Sequence, residues 1–271
     1  MRSKGQRQNQ IAGVLVIGAL VCGLLAGTAA AATYTTIGSP PVGEATHLQI
    51  LNHIYGGTFT PGVVDFTGGG TSGTVNAIRI ADLGGNTPID IATGGVGDMD
   101  QVWQDGTVWM HVEAKFAGYS QKFGYFAGAG PAGAYTNSFD VIPGVDNYSP
   151  TQSAYPVLVM GPGAQWRWGR NGDGGVFSSL EANNTASSSG RQDHMVTYKI
   201  TGLSGTDTTW LLFWEDMTVS SDWDYNDLVV QVSTAEVGGG AVPEPLTVAS
   251  AFFAVAGLGA YIRRRTGRAV A

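Results

Sequence analysis

The stretch WLLFWEDMTVSSDWDYNDLVVQV, Trp210 to Val232, places two apolar runs on either side of a short acidic segment. Glu215, Asp216, Asp222, Asp224, Asn226 and Asp227 all fall within it, and Asp222, Asp224 and Asn226 alternate along the chain. Alternating carboxylate and amide oxygens suit a hard cation such as calcium, which takes six to eight oxygens at about 2.3–2.6 Å. The loop is not an EF-hand. Counted from Asp222, Asp227 stands where that loop needs glycine and Ser233 where it needs a bidentate glutamate. The same residues also fit an ion-free Asx-turn, in which Asp224 and Asn226 accept backbone N–H bonds and fix a hairpin. If calcium binds, Asp222, Asp224, Asn226 and Asp227 are the first ligands expected, with Glu215 and Asp216 next.

The remaining candidates for chemistry are weaker. Trp166 and Trp168 flank Arg167 in QWRWGRNGDGG, and on a strand their indoles point the same way, as a sugar-stacking platform requires. Tryptophans of a β domain more often fill its core. GGGTSG (68–73) and GAGPAG (128–133) match the dinucleotide pattern GxGxxG, which needs a following helix to present its amides to a pyrophosphate. A strand-like run follows the first and Pro131 interrupts the second, so both matches are set aside. No GxSxG elbow, HExxH helix or P-loop lysine motif is present. His47, His53, His111 and His194 are dispersed, and His47 and His53 lie on different faces of a helix. The sequence therefore nominates no catalytic residue, and the expectation is a non-enzymatic chain. Two carboxylates can suffice for glycoside hydrolysis, but no pair among the acids stands out.

The elements that must hold these residues are mostly strands. One segment, THLQILNHIYGG, reads as a helix, with Leu48, Leu51, Ile54 and Tyr55 at three- and four-residue steps and Gly56 as its C-cap. TVWMHVEAKF alternates apolar and mostly polar residues, as on a strand with one face to the core. TVNAIRI, VLVMG, FGYFAG, HMVTYKI, TTWLLFWED and DLVVQV continue the series between Gly, Asp, Asn and Ser turns. About ten such strands predict a mainly β domain, an antiparallel two-sheet sandwich or jelly roll with one short N-terminal helix. EANNTASSSGRQD (181–193) reads as a long exposed loop and GGGTSG as a flexible turn.

The ends differ from this body. Arg2, Lys4 and Arg7, an apolar run from Ile11 to Leu25, and small residues at 27–32 have the layout of a secretory signal peptide, 1–32, for signal peptidase. Cys22 is the one cysteine, so the domain expected at 33–237 carries neither disulfides nor thiolate zinc sites. Between 33 and 240 seven basic residues face twenty acidic ones, a net charge of −13. Such a body repels nucleic acid and attracts divalent cations. A glycine linker (238–241) leads to VPEP, an apolar span (246–262) and Arg263, Arg264 and Arg265. Seventeen helical residues reach about 25 Å, at the short end of a transmembrane helix. The arginines favour the cytoplasmic side.

Val242, Pro243, Glu244 and Pro245, followed by that span and the arginine cluster, resemble a PEP-CTERM sorting signal, 242–268. The resemblance implies export, transient inner-membrane contact, and processing by an exosortase-type protease in bacteria that make exopolysaccharide and biofilm matrix. The body resembles an uncharacterised secreted domain of the kind classed as domain of unknown function 4114. DHMVTYKI, WLLFWED and DWDYNDLVVQV match its ending in order, and AKFAGYSQKFGYFAG is also similar, although Ala127 stands where the family has an acidic residue. The resemblance implies a β fold and an extracellular address, not a reaction. The leading expectation is a surface or extracellular matrix protein. The alternatives are a calcium-dependent carbohydrate-binding module for exopolysaccharide and a carboxylate-dependent glycan hydrolase.

Overall fold

Among the described residues eleven strands pair into a sheet. They are β1 (Gly70–Ser72), β2 (Val75–Arg79), β3 (Ile89–Asp90), β4 (Trp103–Ala114), β5 (Gln121–Ala127) and β6 (Tyr135–Val141). β7 (Val157–Gly172), β8 (Gly175–Ser178), β9 (Met195–Thr201), β10 (Thr209–Trp214) and β11 (Leu228–Ser233) complete the set. One helix, α1 (His47–Tyr55), precedes them, closed at its start by a capping box between Thr46 and Gln49. This computed structural model describes residues 32–234, apart from 61–69, 84, 86, 143–147, 149, 188–189, 204–206 and 220. The expected signal peptide and the sorting signal with its span at 246–262 lie outside the described residues. Among the described residues no helix is long and apolar enough to cross a membrane.

The expected pair of sheets is instead one continuous sheet, ordered β1-β2-β9-β10-β11-β4-β7-β5-β6, with β3 on β4 and β8 on β7. All pairs are antiparallel except β3 with β4. The sheet folds over on itself. Phe123 on β5 and Trp214 on β10 stand four strand positions apart, roughly 19 Å in a flat sheet. Their rings are 6.3 Å apart. The fold-over encloses a core of Trp103, Trp166, Trp168, Trp210, Trp214, Phe123, Val108 and Val112 of β4, and Val230 and Val232 of β11. A second core lies on the other face, where Ile50, Leu51 and Tyr55 of α1 cover Leu211, Phe213 and Val229. With both faces covered, β10 is buried at all six positions, which is why TWLLFW is apolar throughout rather than alternating.

Two sequence expectations change. VLVMG does not stop at Gly161: the strand continues through Pro162 to Gly172, first along β4 and then along β5. A bulge in β4 between Gln104 and Gly106 accommodates the change, with Asp105 at φ 53 and its carboxylate accepting from the Gly163 N–H at 2.5 Å. The polar run from Glu181 to Asp193 is not simply an exposed loop. Its first residues form a 3₁₀ turn, and buried Asn184 accepts from the Ser178 N–H and donates to the Ser178 and Gln192 carbonyls.

Candidate functional site

β10 and β11 pair in register from Thr209–Ser233 to Trp214–Leu228, so the residues between them, 215–227, must leave the sheet as one excursion. Three separate parts of the chain close around it. The strand-like segment before α1 supplies Gly38, whose N–H donates to the Trp223 carbonyl at 2.6 Å; a Cβ there would sit 2.0 Å from the Asp222 carbonyl oxygen. The turn before β8 supplies Gly174, where a Cβ would lie 1.9 Å from the Asp216 carbonyl oxygen. The start of α1 supplies buried His47, whose Nε2 lies 2.8 Å from the Asp224 carbonyl and whose ring packs on Phe213. Burial holds His47 down at about 3, so it is neutral and acts as a structural pin.

Within the excursion the backbone takes the left-handed conformation at two bulky residues, Trp223 (φ 59) and Tyr225 (φ 59). Such positions cost roughly 1–3 kcal/mol each and persist only where packing fixes them. Here Trp223 stands against His194, ring centroids 5.1 Å apart, and the Tyr225 hydroxyl donates to the Asp193 carbonyl at 3.1 Å.

This backbone gathers the acids into two groups, in each of which one oxygen per residue lies within 4.8 Å of the others. Asp222 and Asp224 meet Glu44, and Glu215 and Asp216 meet Asp227. Asp227 thus belongs with the glutamate side of the excursion rather than with Asp222 and Asp224. The groups are neighbours: exposed Asp222 acts electrostatically on Asp224, Glu215 and Asp216. Glu44 carried no local signal. It lies two residues before the helix cap and about 180 positions from its partners, and only the packing of α1 on the sheet brings it there.

The Asx-turn is present as well. The Asp224 carboxylate accepts from the Asn226 N–H at 3.1 Å and from its Nδ2 at 2.7 Å. The Asn226 Nδ2 also donates to the Ala45 carbonyl, which leaves its buried Oδ1 without a hydrogen-bond partner. Glu215, also buried, accepts at Oε1 from the Asp216 and Met217 N–H groups, while Oε2 has no hydrogen-bond partner. Two buried oxygens without hydrogen-bond partners inside a cluster of acids suit a cation, since left unmatched such oxygens cost about 1–3 kcal/mol each. The residues present fit calcium: among the described residues the two groups consist of carboxylates alone, hard oxygen ligands.

Two basic groups and an amide reach the Glu215 group. Arg170, fully buried, lies 3.4 Å from the Asp216 carboxylate and donates to the Asp216 carbonyl, Gln121 Nε2 donates to that carboxylate at 3.0 Å, and Lys115 acts on Asp216 from further off. Burial and mutual repulsion nonetheless raise the acids. Burial, then the neighbouring Asp222, pushes Asp224 up to about 8. Burial, then Glu215 and Asp216, holds Asp227 far above the usual carboxylate range. Burial also raises Glu215 and Asp216, the latter drawn back by Arg170.

The tryptophans expected to form a sugar platform do not. Trp166 and Trp168 are 0 % exposed and sit in the central core, their rings 5.6 Å apart, because this part of β7 lies inside the fold-over. Arg167 between them is also buried, its guanidinium donating to the Gly128 and Ala132 carbonyls and so clamping the GAGPAG turn. His194 is buried and stacked on Phe177 at 3.8 Å, His53 stacks on Tyr148, and His111 pairs with Glu113 at 2.9 Å.

A family model described as a domain of unknown function (DUF4114) matches residues 157–235, which span β7 to β11 and every acid of the excursion, though not Glu44 before α1. No curated protein matches the chain. Solved structures similar to it include the C-terminal domain of the BC2L-C lectin from Burkholderia cenocepacia, at 16 % identity and TM-score 0.30 over 50 % of this chain and 91 % of that one. The Chromobacterium violaceum lectin CV2L in complex with alpha-methyl-fucoside is 18 % identical, TM-score 0.31, over 51 % and 97 %. A high-affinity mannose-binding lectin of Ralstonia solanacearum is 17 % identical, TM-score 0.32, over 52 % and 99 %.

Proposed function

We propose that this chain is an exported surface or extracellular matrix protein, non-enzymatic, whose β domain is braced by calcium at the excursion between β10 and β11. The observation that carries the calcium reading is the pair of convergent carboxylate groups with the buried Asn226 Oδ1 and Glu215 Oε2 that lack hydrogen-bond partners. Two divalent cations would compensate the two groups. Glu44, Asp222, Asp224 and the Asn226 amide oxygen would hold one, and Glu215, Asp216 and Asp227 the other. A bound cation would tie the segment before α1 to β10 and β11, adding to the packing and to the Gly38–Trp223 and Asn226–Ala45 hydrogen bonds. The exported address rests on the sequence: the signal-peptide layout, the VPEP motif, the apolar span and the arginines. The partners in transit would be signal peptidase and an exosortase.

A second reading, a calcium-dependent carbohydrate-binding module, is favoured by one feature. Asp222 is exposed and Glu44 half-buried, so the Glu44 group opens to solvent while the Glu215 group is more enclosed. An ion bound at an open edge keeps coordination positions that paired sugar hydroxyls can take.

Fractionation and intact mass of the protein from its native cells test the export reading. The expected product is found outside the cytoplasm, begins near residue 33 and lacks 246–262. A full-length chain recovered from the cytoplasm overturns that reading. Melting of the same product with calcium and with chelator tests the brace, and an identical melting temperature in both would leave the Asx-turn alone.

A further inference from the structure

Of the seven tryptophans, six are buried and Trp109 alone is not. It lies on β4 in a ladder of three cross-strand positions that share one face: Thr107 opposite Val159, Trp109 opposite Val157, and His111 beside Tyr155, whose rings stack at 5.6 Å. Val159 is 69 % exposed, Tyr155 61 % and Val157 38 %. This is the face that α1 covers further along the sheet. Among the described residues the cover reaches β11, where the Tyr55 hydroxyl meets Gln231, and the middle of β4 and the first part of β7 emerge beyond it. The position of Trp109 is five residues from Ala114, which pairs with Val229 near the acidic excursion, so the two places stand about 17 Å apart at ~3.4 Å per residue.

An aromatic and aliphatic strip with hydroxyl, imidazole and phenol groups along it suits a ligand with apolar faces and polar edges. Charge decides which. The one carboxylate on the strip, Glu113, is paired with His111, and no lysine or arginine belongs to the ladder. The body around it carries −13, which repels anionic polymers and equally a second copy of the chain. We infer that the Thr107–Trp109–His111 face of β4, with Tyr155, Val157 and Val159, is a contact surface for a neutral polysaccharide, independent of calcium. Sugar rings stack on Trp109 and Tyr155 while their hydroxyls meet the polar groups alongside. The site is separate from the acidic excursion and stands whether or not that excursion binds an ion.

Because Trp109 is the one unburied indole, acrylamide quenching of tryptophan fluorescence reads this face directly. The test adds cellohexaose, maltohexaose or the anionic hexamer of galacturonic acid to the full chain, in calcium and in EGTA. Expected is protection by at least one neutral hexasaccharide, equal with and without EGTA, and weaker protection by the anionic one. Tyr155→Ala, at an exposed ring, weakens binding about three- to tenfold, the size of one lost aromatic contact. Val159→Ser, which removes no ring and leaves the core untouched, weakens it less. The inference is overturned if neither neutral hexasaccharide protects, if protection needs calcium, if galacturonate protects equally, or if Tyr155→Ala has no effect. Dimers in sedimentation that Tyr155→Ala dissolves would overturn it too, by giving the face to a second copy.

Discussion

Among the described residues, two places that gather buried carboxyl groups are organised differently. At the excursion between β10 and β11, its five acids and Glu44 form two groups with oxygens within 4.8 Å. In a small polar cavity beside β9, Asp82, Asp100, Glu181 and Asp193 line the wall together with Arg79 and Thr35. Burial raises Asp100 and Asp193, which also repel each other, and pushes Glu181 up to about 7. There the protein answers its own charge. Asp193 accepts from the Thr35 hydroxyl and the Met195 N–H, and Arg79 acts on both Asp100 and Asp193 while donating to the Thr35 carbonyl. No three of the cavity acids converge as closely as those of the excursion. Acidity alone is common to both; the closer convergence of the oxygens distinguishes the excursion. The cavity also holds little more than a water molecule, too small for a sugar, which weighs against placing a glycan hydrolase there.

The sharpest way to break this contrast is to remove one acid from each place. Saturating calcium should raise the melting temperature by about 8–24 °C, as two sites filled well beyond their dissociation constants each add roughly 2–3 kcal/mol. Asp224→Asn should lose at least half of that rise, and Asp193→Asn should keep it. Equal losses in differential scanning calorimetry would erase the distinction.

The next effect is on pH. A carboxyl raised in the folded state keeps a proton that the unfolded chain has already released, so stability falls as pH climbs from its ordinary value toward the raised one. For Asp224 that window runs from 3.8 to about 8. In chelator the domain should therefore be less stable at pH 8 than at pH 5. Calcium should cancel the part that comes from the excursion and leave the part that comes from the cavity, which Asp193→Asn reduces. Urea midpoints at both pH values, with and without calcium, check the sign.

Smaller effects probe the surroundings. Gly38→Ala and Gly174→Ala each force a backbone apart at contacts near 2 Å and should cost about 1–3 kcal/mol, with calcium affinity weakened as well. Tyr225→Phe removes the hydrogen bond to the Asp193 carbonyl that links the two places, at a cost of about 1 kcal/mol.

Legibility in the sequence followed the range of the interaction involved. Strands and helix were readable where a local period carried them, as in Val108, Met110 and Val112 of β4, all buried. The acids of the excursion were readable because they are neighbours in the chain and flanked by two apolar runs. Their division into two groups was not, because left-handed backbone at Trp223 and Tyr225 sets it and neither residue type announces that conformation. Glu44 was invisible for the same reason as the single folded-over sheet: both depend on pairings between distant segments. Trp166 and Trp168 pointed the same way, as alternation requires, but alternation cannot say which side is the core.

The most direct measurement is calorimetric titration of the calcium-depleted chain with calcium. Two ions per chain are expected, with both lost or severely weakened in Asp224→Asn combined with Asp227→Asn, and with stoichiometry unchanged in Asp193→Asn. No binding at millimolar calcium would contradict a calcium-braced excursion, as would binding that the paired substitutions leave intact.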